Sequence, residues 1–140
     1  MSFRIEPDGA LSIVMFFIAH LGLCAAYIQG GLVKLTDFSG AVAEMAHFRL
    51  SPPVLFAVLV IVLELVASAM VVTGFLRWLG ALTLAGFTFL STLIALRFWE
   101  RPAGEARHAD ANAFFEHLGL TGGFLLVAWL DLTRNSSVSL

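Results

Sequence analysis

Long uncharged runs alternate with short polar ones along this chain, and the lengths of the uncharged runs set the fold. Residues 9–33 carry no formal charge. A helix rising 1.5 Å per residue needs roughly 20 residues to cross about 30 Å of hydrocarbon, so this run predicts a first span over 10–35. A second run, 53–75, is interrupted only by Glu64 near its middle, and a third, 78–98, stays uncharged up to Arg97. A fourth, 113–132, carries Glu116 and His117 in its first turns and closes at Asp131.

The segments between the spans have their own signals. Over 38–48, Phe38, Val42, Met45 and Phe48 recur at three- and four-residue spacing among Glu44 and His47, which predicts a short amphipathic helix lying in the interface. Ser51-Pro52-Pro53 ends it, because proline cannot donate within a helix yet is tolerated in the first turn of a new one. Gly74 and Arg77 mark a tight turn. Trp99-Glu100-Arg101-Pro102 is an aromatic, charged exit from the membrane, and RPAGEARHADAN, residues 101–112, reads as a solvated loop. Short connections make consecutive spans antiparallel neighbours. The predicted fold is an all-α membrane protein: one domain over 1–140, a four-transmembrane-helix up-down-up-down bundle with a short interfacial helix between spans one and two. Gly30 with Gly31, Gly80 with Ala81 and Ala85, and Gly119 with Gly123 offer small surfaces on which such helices can approach.

Composition agrees and removes other classes. With 59% apolar and 13% charged residues in 140, and a mean hydropathy of +0.92, the chain carries more apolar side chain than a soluble domain of this size needs. Net charge is −2 and the basic residues are scattered, which excludes a nucleic-acid-binding stripe. The lone Cys24 rules out a disulfide framework, and bulky Leu23 before it argues against lipidation. Arg4 is countered by Glu6 and Asp8, so the first run reads as a retained span and not a cleavable signal. Four spans put both termini on one side with Arg4, Arg77 and Arg134; Lys34, Arg49, Arg97, Arg101 and Arg107 fall on the other. Leaving out Lys34 and Arg97, which lie within helix ends, the two sides balance and charge does not select an orientation.

Glu64 is the most informative residue, since a carboxyl near mid-bilayer costs roughly 2.5–3.5 kcal/mol on insertion scales and marks a site or a specific internal contact. On span one, His20, Tyr27 and Lys34 recur every seven residues, forming one stripe with steps of about 10 Å. By depth, Tyr27 or His20 is the expected partner of Glu64, with Lys34 reaching in from near the helix end or snorkelling to the headgroups. Span counting puts Lys34, Arg97, Trp99, Glu116 and His117 near one mouth of the bundle. The expected catalytic pair is Glu64 and Lys34, and the expected ligand-binding residues are His20, Tyr27, Arg97, Trp99, Glu116 and His117. No metal site is expected, because the four histidines are spread over separate segments without ligand spacing. No phosphate loop or nucleophile elbow occurs.

With these residues in view, the chain resembles the DoxX family of small four-span bacterial membrane proteins. GGLVKLTDFSG, PPVLFAVLVIVLELVASAMVVTGFLRWLGALTLAG, ALRFWE and FFEHLGLTGGFLL carry the resemblance over residues 22–129. The shared pattern is a glycine-flanked Lys34, the mid-helix Glu64, the Gly74 and Arg77 turn, and the pair Gly122-Gly123. The chain departs from it at Ala67 and Ser68, where the family tends to have glycines. It also departs at Arg97, often a histidine, and at Glu116-His117, often a basic residue and asparagine. The resemblance implies the bacterial inner membrane and redox work at the quinone level, as in thiosulfate:quinone oxidoreductase and in complexes coupling thiol or oxidative-stress enzymes.

Two functions follow as expectations. One is a membrane subunit of a quinone-linked redox complex, with quinone as the cofactor and a redox partner protein, or a homo-oligomer, as company within the lipid bilayer. The other is a non-enzymatic anchor, assembly or adaptor protein that binds lipid or a partner. A carrier is a third, though four spans without an inverted repeat are few for alternating access.

Overall fold

Each of the four uncharged runs folds into one long helix. The computed structural model describes residues 9–137; Arg4, Glu6 and Asp8, and residues 138–140 of the serine-rich tail, lie outside them. The elements are α1 (Gly9–Thr36), α2 (Phe38–His47), α3 (Pro53–Thr73), α4 (Arg77–Ala95), a 3-10 turn (Phe98–Glu100) and α5 (Glu105–Ser137). Helices α1, α3, α4 with its 3-10 turn, and α5 are each long and apolar enough to cross a membrane. This is an all-α, four-span membrane protein, with no strand among the described residues.

The punctuation is local chemistry. Asp37 caps α2, its carboxylate accepting from the Gly40 N–H at 3.0 Å, a donor the helix itself leaves unpaired. Pro53 opens α3, where its missing N–H is no loss. Gly74 closes α3 in the left-handed conformation at φ 86°, which glycine adopts without a Cβ clash. The amino end of α4 is capped from another helix: the Trp78 N–H donates to Asp131 of α5 at 3.1 Å. Arg77 Nε donates to the Val71 carbonyl at 2.9 Å, satisfying a carbonyl at the end of α3.

Two boundaries differ from expectation. Helix α4 ends at Ala95, short of 98, and the chain tightens into the 3-10 turn. The supposed solvated loop over 101–112 shrinks to four residues, because α5 begins at Glu105. The segment EARHADANA is polar but alanine-rich, and alanine is the strongest helix former; polarity reported water contact, not loop conformation. With 33 residues α5 is about 50 Å long, so roughly its first two turns stand beyond the hydrocarbon.

Consecutive spans pack against one another, α1 on α3, α3 on α4 and α4 on α5, while α1 meets α5 only over a short stretch. Small residues take much of the inside: Ala57, Ala67, Ala81 and Ala85 are buried beside Leu84 and Phe124, whereas Ile13, Leu59, Leu90 and Leu126 point outward. That arrangement suits lipid, where large side chains gain nothing by hiding and close backbones gain van der Waals contact. A Cβ on Gly31 would fall 2.8 Å from Leu65, and one on Gly80 would fall 2.8 Å from the Ala67 carbonyl oxygen. Helix α2 lies on α3 through Ala41, Met45 and Ala57. Phe98, Trp99, Phe114 and Phe115 form an edge-to-face aromatic cluster at the α2 end, as expected at a membrane–water boundary.

Candidate functional site

At the α2 end of the bundle is a cavity of about 590 Å³ walled by all five helices. Its inner polar feature is an ion pair. Lys34 Nζ of α1 lies 3.3 Å from Oε1 and 3.2 Å from Oε2 of Glu64 on α3. The side chains are 17% and 7% exposed, so this pair is screened far less than one on a wet surface.

The expected partners, Tyr27 and His20, are not the ones Glu64 has. Helical side chains tilt toward the amino end of their own helix. On α1 that tilt carries the Lys34 ammonium inward by about one turn, and a Cβ on Gly30 would meet Nζ at 3.4 Å. On antiparallel α3 the same tilt carries the Glu64 carboxylate outward toward the α2 end. The two groups therefore meet between their backbone levels. The backbone of Gly30 lies beside the charges, its would-be Cβ at an ordinary contact distance of 3.6 Å from both carboxylate oxygens, and Gly31 lets α1 approach α3 closely enough for contact.

Tyr27 faces the cavity but turns to α4. Thr88 Oγ1 spends its one proton on the Leu84 carbonyl at 2.6 Å, so the Tyr27 hydroxyl is the donor in the 2.5 Å contact between them. Thr92 likewise donates to the Thr88 carbonyl at 2.6 Å. It must then accept from His117 Nδ1 at 3.0 Å, which fixes the neutral ring as the Nδ1–H tautomer and leaves Nε2 as an acceptor. Lys34, Glu64, Tyr27 and His117 thus share one cavity, together with Glu44, Thr88 and Ser91. Sequence reasoning missed the α4 contribution, yet Thr88, Ser91 and Thr92 lie three and four residues apart on an otherwise apolar span, the spacing of a single helical face.

The other expected site residues are elsewhere. His20 is buried, donates through Nδ1 to the Phe16 carbonyl, and lines a separate cavity of about 230 Å³ between α1 and α5 with Arg77 and Asp131. Arg97 is exposed and pairs with Glu100 at 3.4 Å, so it faces water beside the cavity. Trp99 belongs to the aromatic cluster, and Glu116 points outward. The expected convergence of all five mouth residues is therefore incomplete: span counting gives the level of a side chain in the membrane but not its direction around the helix. His117 faces inward and Glu116 does not, because adjacent helical residues are rotated by about 100°. Among the described residues no three His, Cys, Asp or Glu side chains gather in a way that could hold a metal ion.

Comparison with known proteins gives the same outline. The DoxX family model matches residues 15–97. Inner membrane protein YphA of Escherichia coli (strain K12) is 28% identical over 132 residues, covering 94% of this chain and 91% of that protein. No solved structure matches.

Proposed function

The chain belongs to the DoxX family, and on that footing we propose that it works in the bacterial inner membrane as a membrane subunit of a quinone-linked redox complex. The supporting observation is the Lys34–Glu64 pair set in a largely apolar cavity that reaches the α2 interface. The polar lining fits a quinone headgroup: the Lys34 ammonium can donate to a quinone carbonyl, and the Tyr27 oxygen and His117 Nε2 can accept from a quinol hydroxyl, in one cavity with Phe56, Leu63 and Phe87. Leu59 and Leu90 line the cavity and are also exposed on the outer face, which suits a ligand arriving from the bilayer. A bound quinone would supply two-electron chemistry that takes up two protons. Lys34 and Glu64 would hold and pass protons at Nζ and at the carboxylate oxygens, and a partner protein would supply the electrons. The inner-membrane assignment leans on the E. coli relative's name.

The test is purification in mild detergent, quantification of copurified quinone by mass spectrometry, and a quinone titration of wild type, Lys34→Met and Glu64→Gln. Saturable binding weakened at least tenfold by either substitution is the expected result. A quinone-to-phospholipid ratio equal to that of the starting membrane, with no saturable binding, would overturn the proposal. It would favour a second reading, a non-enzymatic anchor or adaptor, for which the first turns of α5 beyond the hydrocarbon offer a docking point.

A further inference from the structure

Beside the cavity, on the water side, lies an open groove of about 650 Å³ that includes His47, Arg49, Arg97, Glu100 and Arg101. Phe48, Ile94 and Ala95 belong to both the groove and the cavity. Its level is the membrane boundary: Ile94 and Ala95 end the apolar run of α4, and the basic residues follow directly.

Arg49 gives the groove its meaning. Helix α2 ends in a Schellman motif, the Arg49 N–H donating to the Ala46 carbonyl at 3.0 Å and the Leu50 N–H to the Met45 carbonyl at 3.0 Å. Leu50 packs on the cluster containing Met45, as that motif usually provides. The motif requires a left-handed residue after the cap, and glycine is its default. Here that residue is arginine, at φ 59°. Arginine takes this conformation at a cost that glycine would avoid, and its side chain lines the basic groove.

The carboxylates nearby do not cancel it. Glu100 engages Arg97 Nη1 at 3.4 Å, and Asp110 engages Arg101 Nε. Each guanidinium has five N–H donors, so both arginines keep donors to spare. Glu44 lines the neighbouring cavity and not the groove. Three planar forks at a headgroup level match phosphate oxygens, and the lipid-facing Leu90, Leu93 and Ile94 of α4 lie below for acyl chains.

We propose that this groove is a binding site for the phosphate of an anionic phospholipid, which sits at the portal of the cavity. It stands independently of the quinone reading. Trp78 and Trp129 are replaced by phenylalanine, leaving Trp99, which adjoins Glu100 of the groove, as the one tryptophan of the chain. The protein is reconstituted with lipids brominated near the headgroup. Phosphatidylglycerol should quench Trp99 at least twofold better than phosphatidylcholine at equal mole fraction, and Arg49→Gly with Arg97→Gln should bring that ratio close to one. Arg49→Gly alone should lower the ratio while holding or raising the melting temperature, since glycine suits the motif, and so separates lost charge from lost fold. A wild-type ratio of one, or a ratio unchanged in folded Arg49→Gly/Arg97→Gln protein, would overturn the proposal. So would abolition of the preference by inorganic phosphate where chloride of equal ionic strength leaves it, which would reassign the groove to soluble oxyanions.

Discussion

Replacing Lys34 by methionine and Glu64 by glutamine, singly and together, separates the two halves of the ion pair. At 3.2 Å, Coulomb attraction is about 5 kcal/mol at an effective dielectric of about 20. Removing two charges from water takes back most of that, so the intact pair contributes little net stability, while losing one partner of a buried pair costs about 3–5 kcal/mol. The two single changes should differ. Lys34 lies two residues from the end of α1 and is 17% exposed, so in Glu64→Gln its ammonium can swing to the headgroups; the expected loss is about 1–2 kcal/mol. Glu64 is 7% exposed in the middle of α3 and has no such escape, so Lys34→Met should lose about 3 kcal/mol. The double variant should fall close to Glu64→Gln alone, a coupling of about 2 kcal/mol or more. Reversible unfolding by dodecyl sulfate in mixed micelles, followed by tryptophan fluorescence, measures all four proteins. Additivity within about 0.5 kcal/mol, or Glu64→Gln more damaging than Lys34→Met, would refute the reasoning.

Gly80→Ala should destabilise by about 1–3 kcal/mol in the same assay, because the new methyl meets a backbone oxygen at 2.8 Å, whereas Gly122→Ala, with nothing within 4 Å, should be neutral or gain up to about 1 kcal/mol. Tyr27→Phe should lose only about 1 kcal/mol, since Thr88 keeps its own bond to Leu84; a much larger loss would show that the hydroxyl supports more than this contact. Single cysteines at Arg107 and Phe75, in a chain where Cys24 is replaced by alanine, should label from opposite sides of the membrane, and labelling from one side would contradict four spans.

The spans were legible because an uncharged run of bilayer length has one cheap solution in lipid, a helix, and because Pro53 opens a helix and Gly74 closes one through backbone chemistry that sequence alone reveals. The start of α5 was not, since the polarity of residues 105–112 speaks of water and their alanines of helix, and only the second decides conformation. Glu64 was recognisable as internal from its depth. Its partner was not, because depth was judged from backbone position and a lysine side chain on an antiparallel neighbour covers the difference. Thr88 and Thr92 were readable in principle from their spacing, but hydroxyls satisfied by their own helix are common in membrane spans and stand out only when Tyr27 and His117 are seen beside them.

The order in which the helices touch bears on how the molecule is made. Every extensive interface joins a span to the next one in the chain, so each emerging segment finds its main neighbour already inserted. Assembly can proceed hairpin by hairpin at the pace of synthesis, with little loop entropy to overcome at any stage. The meeting of α1 with α5, where Tyr27 lies against Phe124 with ring centroids 5.4 Å apart, joins the first span to the last and forms only once α5 has inserted. That contact is the clasp of a ring otherwise built in series, and slow or incomplete synthesis would leave it undone first.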